Sequence, residues 1–192
     1  MSYTSEQIRN ALTILRVARE VGADKKQVAS ALLAGWVESY GYKNVPAGKG
    51  DRDSVGVFQQ RPSQGWGTVA ELSNVETAAR RYFLGVPQRG VPGALSINHA
   101  GLTPGQLAQK VQRSAFPLRY DQAAPQVEKF LRTITAGAGN VAIMPPATSP
   151  AAPVGSVSTV PSDYQPSDEF RNFIILGIAL VLIVFAMTNY SK

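Results

Sequence analysis

A chain of 192 residues with a formal charge of +6 and 44% hydrophobic residues can bury one domain's core without metals or disulfides. It has no cysteine and a single histidine, His99, which excludes disulfide frameworks, thiolate metal sites and histidine clusters, so neither metal nor cofactor is expected. The charge is uneven: residues 1–132 hold 17 Lys and Arg against 10 Asp and Glu, a surplus of 7 that attracts a polyanion such as nucleic acid, anionic lipid or an acidic cell wall.

The first element interleaves charges with apolar residues and reads as a helix rather than an export signal. Thr4 and Gln7 have capping-box spacing, Ile8, Leu12 and Leu15 share a face, and Gly22 ends the run. A second helix begins at Asp24, with Gln27 three residues on. Its stripe of Val28, Ala31, Leu32 and Gly35 carries forward to Glu38. From Tyr40 to Trp66 helical periodicity gives way to glycine, proline and charge, with a short strand-like piece at residues 54–60. A third helix follows Asn74 through Val75, Ala78, Ala79, Tyr82 and Phe83, and Gly85 and Pro87 stop it. A fourth starts with Thr103 as cap and Pro104 in its first turn, and a fifth runs behind Asp121 through Val127, Phe130, Leu131 and Ile134. The expected fold is mainly α, with a small irregular or β-containing insertion.

Beyond residue 135 the composition turns to Ala, Gly, Pro, Ser and Thr, with prolines at 145, 146, 150, 153, 161 and 166. Residues 136–170 therefore read as a flexible linker, spanning about 100 Å if polyproline-like. Residues 171–192 hold an unbroken apolar run of 15, Phe173 to Met187. Residues 172–190 would extend about 28 Å as a helix, close to the roughly 30 Å of a bilayer's hydrocarbon, so one C-terminal transmembrane helix is expected.

Glu38 stands out among the acids because it continues an apolar stripe at a helix C-terminus. Burial and the helix dipole both disfavour its charged form, and a carboxyl that keeps its proton is what a general acid needs. By position alone, a structural pairing with Arg52 or Arg61 competes with that reading. Asp51 and Asp53, in the following loop, are possible second carboxylates, although loop acids commonly just pair with neighbouring arginines. Tyr42, Trp66, Tyr82 and Tyr120 are aromatic candidates for stacking on sugars, against the commoner role of core residues. His99 has no evident catalytic partner and reads as a surface or capping residue.

Residues 31–39 (ALLAGWVES) followed by residues 56–62 (GVFQQRP) resemble the paired motif of lysozyme-like soluble lytic transglycosylases. The longer stretches 50–68 (GDRDSVGVFQQRPSQGWGT) and 111–120 (VQRSAFPLRY) are similar to wall-lytic domains of actinobacteria and their phages. The resemblance covers about residues 5–132. It implies an α+β lysozyme-like domain over residues 1–135 that cuts peptidoglycan glycan strands, with Glu38 as acid and base. Ser39 and Gln59 become sugar-site or supporting residues in that resemblance, and Gln60, Tyr42 and Tyr120 are further substrate-binding candidates. Val57 and Phe58 depart from the Leu and Met common in that pattern, which leaves the groove lining open. A transglycosylase needs one carboxylate and forms 1,6-anhydromuramoyl ends, whereas a muramidase needs a second acid.

With the apolar C-terminal run, these features predict a tail-anchored lytic enzyme of a phage virion's internal membrane, working beside other virion proteins during infection. A bacterial cytoplasmic membrane is the alternative host. The competing class is a non-catalytic glycan-binding or structural membrane protein of a virion. No nucleic-acid partner is expected, because no helix-turn-helix, zinc or aromatic-strand signature accompanies the basic charge.

Overall fold

The computed structural model describes residues 3–141, with side chains to residue 136, and is mainly helical. Helix α1 (Ser5–Glu20) and helix α2 (Lys25–Glu38) both open with closed capping boxes, Thr4 with Gln7 and Asp24 with Gln27. Each box satisfies two of the amides that a helix N-terminus leaves without partners. A long loop leads to α3 (Val69–Ser73) and α4 (Val75–Leu84). Next comes a two-residue antiparallel hairpin, β1 (Gly85–Val86) with β2 (Val91–Pro92), and then α5 (Pro104–Gln112), α6 (Arg119–Gln122) and α7 (Ala124–Val141).

Helix α2 is the axis of the domain, packing against α1, α4, α5, α6 and α7. Between Ala29 and Gly35 every residue is buried, so the stripe expected from spacing is in fact a helix apolar on all sides. Such a helix is stable only inside a shell of others. Leu32, Leu33, Ile14, Leu72, Leu107 and Leu131 are at most 1% exposed, and each such side chain contributes about 1.5–3 kcal/mol of burial. Around the last turns of α2, Trp36, Tyr42, Phe130 and Tyr3 form a cluster of edge-to-face and tilted ring pairs with centroids 4.7 to 6.2 Å apart. Outside the core, Arg16 and Arg80 each pair with both Glu20 and Glu76, tying α1 to α4.

Several local expectations are corrected. The strand-like piece is a single bridge between Val55 and Gln60 within a loop. Helix α4 does stop at Gly85, and the segment beyond it folds back as the β1–β2 hairpin, which the sequence pattern does not announce. The last long helix, α7, does run behind Asp121. Asp121 itself lies in the short α6, where its carboxylate accepts from the Gly105 amide at 3.0 Å and the Thr103 hydroxyl at 2.8 Å, bracing the start of α5. Helix α7 continues to Val141, past the compositional break at residue 135. The rest of the expected linker and the whole expected anchor lie outside the described residues, among which no helix is long and apolar enough to cross a membrane.

Candidate active site

Helix α2 delivers Glu38 to the floor of an open groove of about 520 Å³. One wall is the loop carrying Lys49 to Ser54 and Gln59 to Gln64. The other is the end of α5 with residues 113–116 and Arg119. This loop cannot follow a regular path, and glycine makes its tightest point possible. Gly56 sits at φ +78°, and a Cβ there would come within 2.2 Å of the Leu72 carbonyl oxygen. The Gly56 amide donates to the Val45 carbonyl at 2.8 Å, closing the loop on itself, and Gln112 Nε2 donates to the Phe58 carbonyl at 2.7 Å, which fastens it to α5. Behind it Phe58 stacks on Tyr82 with centroids 4.7 Å apart, and the Tyr82 hydroxyl lies 3.1 Å from Ser30 Oγ.

Glu38 is half-buried, and the Tyr120 hydroxyl donates directly to its Oε1. Burial pushes the Glu38 carboxyl above its ordinary value, while the Tyr120 hydrogen bond and the Arg119 charge pull it back only in part. Burial, reinforced by the Glu38 charge, drives the Tyr120 phenol far above its usual range, so it stays a proton-bearing donor. The site therefore holds a carboxyl that keeps its proton to higher pH than an ordinary glutamate, with a fixed hydroxyl placed to stabilise the anion once that proton leaves. Neither arginine weighed as a Glu38 partner is one. Arg61 pairs with Asp53 at 2.7 Å, and Arg52 lies 3.9 Å from Asp51.

No protein-family model and no curated protein matches the chain.

The other sequence candidates separate by burial. Gln59 lines the groove at φ +48°, its amide donating to the Gly56 carbonyl at 2.9 Å. Gln60 also borders the groove but is 2% exposed, and its Nε2 donates to Ala78 at 3.2 Å. Ser39 is fully buried, and its hydroxyl donates to the Gly35 carbonyl at 2.6 Å, closing the last turn of α2. Tyr42 corrects the expectation of a sugar-binding residue: it is 0% exposed inside the aromatic cluster and supports the groove from behind. Tyr120 reaches the site only through its hydroxyl, its ring being enclosed.

Asp53 is occupied. The Ser63 amide and the Arg61 guanidinium hold its carboxyl well below the usual carboxylate range. Asp51 is on the rim with its side chain 88% exposed. His99, far along the chain from α2, lies 2.7 Å from the Asp24 carboxylate and so belongs to the N-terminal cap of that helix. Among the described residues no group of three or more His, Asp or Glu is placed to hold a metal ion.

Sequence reasoning missed Tyr40, Arg113, Phe116 and Arg119, all of which line the groove. A signal was present. The run Ala115 to Leu118 is apolar without helical period and flanked by arginines, which marks an exposed loop rather than core. Of the five non-glycine residues at positive φ among the described residues, Tyr40, Arg52, Gln59 and Arg113 line the groove. Left-handed backbone in such residues is costly and concentrates at functional sites.

Proposed function

We propose that this chain cuts the glycan strands of bacterial peptidoglycan, with Glu38 as general acid and then general base. The single observation that carries this reading is a half-buried carboxyl at the floor of an open groove, raised by burial and hydrogen-bonded by a tyrosine rather than neutralised by an arginine. The lysozyme-like motifs around Glu38 and residues 56–62 supply the substrate class.

In the transglycosylase form of the reaction, Glu38 gives its proton to the glycosidic oxygen as the bond from C1 to that oxygen breaks. The 6-hydroxyl of the same muramoyl sugar then bonds to C1 and returns its proton to Glu38, so no water is consumed. Tyr120 steadies the carboxylate between the two transfers. The constraint on Asp53 and the exposure of Asp51 favour this one-carboxylate route over a muramidase that activates water with a second acid.

Mass spectrometry of fragments released from purified walls tests it. Fragments ending in 1,6-anhydromuramic acid are expected from the native chain and at least about a hundredfold fewer from Glu38→Gln. Reducing muramic ends that vanish with Asp51→Asn would make the enzyme a muramidase. Undiminished cutting by a folded Glu38→Gln chain would remove Glu38 from the chemistry. Binding of walls without any release would leave a glycan-binding module. The proposal extends to location: the apolar run of residues 173–187 holds the enzyme on the internal membrane of a phage particle, and its detection in purified particles is the check.

A further inference from the structure

The groove is more basic than acid catalysis requires. Lys49, Arg52, Arg61, Arg113 and Arg119 line it against only Glu38 and Asp51. Arg61 is committed to Asp53, and Arg52 leans toward Asp51. Lys49 and Arg113 make no ion pair among the described residues, and Arg119 lies over the Phe116 ring at 5.6 Å. Lys49, Arg113 and Arg119 are all exposed on the groove walls. Beside them stand two exposed aromatics, Tyr40 at 76% and Phe116 at 61%, which a fold governed by burial alone would cover. Tyr40 at φ +53° and Arg113 at φ +54° hold left-handed backbone with their side chains turned outward. Both positions end a helix, Arg113 capping α5 with its amide on the Gln109 carbonyl at 2.8 Å and Tyr40 following the Ser39 cap of α2, so the helix ends aim these two side chains out of the core.

We propose that the groove selects glycans whose sugars carry carboxylates: Lys49 and Arg113 meet the carboxylates while Tyr40 and Phe116 hold the apolar faces of the rings. This rests on the glycan-cleaving reading and deepens it. A neutral amino-sugar polymer filling the groove strips water from these cations and returns only hydroxyls, whereas a glycan with a carboxylate on alternate sugars returns charge-assisted hydrogen bonds. The penalty on the neutral polymer is as much a source of selectivity as the attraction of the acidic one. Aromatic rings contribute to both polymers alike, because both present the same apolar sugar faces.

Binding by the full-length Glu38→Gln chain in detergent, which leaves strands uncut, tests this against two glycans of equal length. One is wall strand whose stem peptides have been removed by amide hydrolysis, which frees its lactyl carboxylates; the other is a neutral chitin oligomer. The wall strand is expected to bind at least about tenfold more tightly at low salt, the worth of one charge-assisted hydrogen bond. The gap should close in about 0.5 M salt, where the screening length is only a few ångströms. It should also close in Lys49→Gln with Arg113→Gln, substitutions at exposed positions that leave the core untouched. Tyr40→Ala and Phe116→Ala should weaken both glycans in parallel. Equal affinity for the two polymers, or a gap that survives loss of both cations, overturns the proposal; unchanged binding after loss of both aromatics overturns their part in it. Native chain that cuts chitin and wall strands equally leaves the cleaving activity standing and removes the selectivity. Native chain that cuts neither, while the binding gap and its dependence on Lys49 and Arg113 persist, does the reverse.

Discussion

At the N-terminal end of α2 the Asp24 carboxylate accepts from the Gln27 amide at 2.9 Å and lies 2.7 Å from His99 Nε2, while at the C-terminal end Glu38 accepts from one tyrosine hydroxyl and feels the Arg119 charge without an ion pair. The two acids sit on one helix, and the helix itself treats them differently. Its N-terminal amides attract negative charge and its C-terminal carbonyls repel it. Asp24 is exposed to water, whereas Glu38 is half-buried. The first arrangement spends its hydrogen bonds on holding a helix end. The second leaves a carboxyl short of stabilising partners, which is a useful state only if its proton is to be given away. A carboxylate fully answered by its neighbours is a structural part, and one answered incompletely beside an open groove is a reactive one.

The largest effects should separate these two ends. Glu38→Gln should lower the lytic rate about 10²- to 10⁴-fold, the usual share of a general acid and base. It should not lower the melting temperature, because a neutral amide is cheaper to bury than a carboxylate. The folded value of Glu38 lies above its unfolded 4.5, so its contribution to stability is full below that pH and is lost as pH rises through the folded value. The melting-temperature advantage of Glu38→Gln over the native chain should therefore widen between about pH 4 and about pH 8; a gap that narrows would contradict the burial argument.

Next in size is Tyr120→Phe, which keeps the buried ring and removes only the hydroxyl that donates to Glu38. Losing a hydrogen bond to a charged group should cost roughly tenfold or more in rate. Because that bond lowers the Glu38 value, its loss should move the alkaline limb of the pH–rate profile upward. A limb that stays put or moves down would mean the two groups do not share the proton's fate.

Asp24→Ala sharpens the comparison from the other end. It should cost about 1 kcal/mol in denaturant unfolding, as loss of an N-cap does, with the lytic rate per folded molecule unchanged. A rate that falls with it would show that the cap also positions Glu38 along the helix.

The smallest effect concerns the groove wall. Asp53 has a folded value below its unfolded 3.8, so its stabilisation is present above that pH and is lost as pH falls through the folded value. Hydrogen exchange at the Ser63 amide, which donates to Asp53 at 2.7 Å, should be faster in Asp53→Asn near neutrality, and the difference should shrink in acid. Exchange that ignores the substitution would show the wall is held by other contacts.

The main helices were legible in the sequence because their signals are local. Thr4 with Gln7, Asp24 with Gln27, and Thr103 with Gln106 all close within four residues, and the capping boxes form. The isolation of Glu38 on an apolar helix is equally local, since residues 28 to 38 alone display it. The cluster around it is not. Tyr120 lies 82 residues from Glu38, and no periodicity in either segment announces that the hydroxyl and the carboxyl meet. Tyr42 and Tyr40 are two residues apart in the same loop, yet one is enclosed and the other 76% exposed, because the left-handed backbone between helix and loop turns one inward and the other out. Asp121, which the sequence marked only as the residue ahead of the last helix, braces the start of α5, a choice made by the packing of α5 on α6. Local hydrogen bonds and side-chain periodicity determined where helices begin and which carboxylate was unusual. Only the tertiary structure decided what surrounds that carboxylate, because water is excluded and partners are brought together by contacts that span most of the domain.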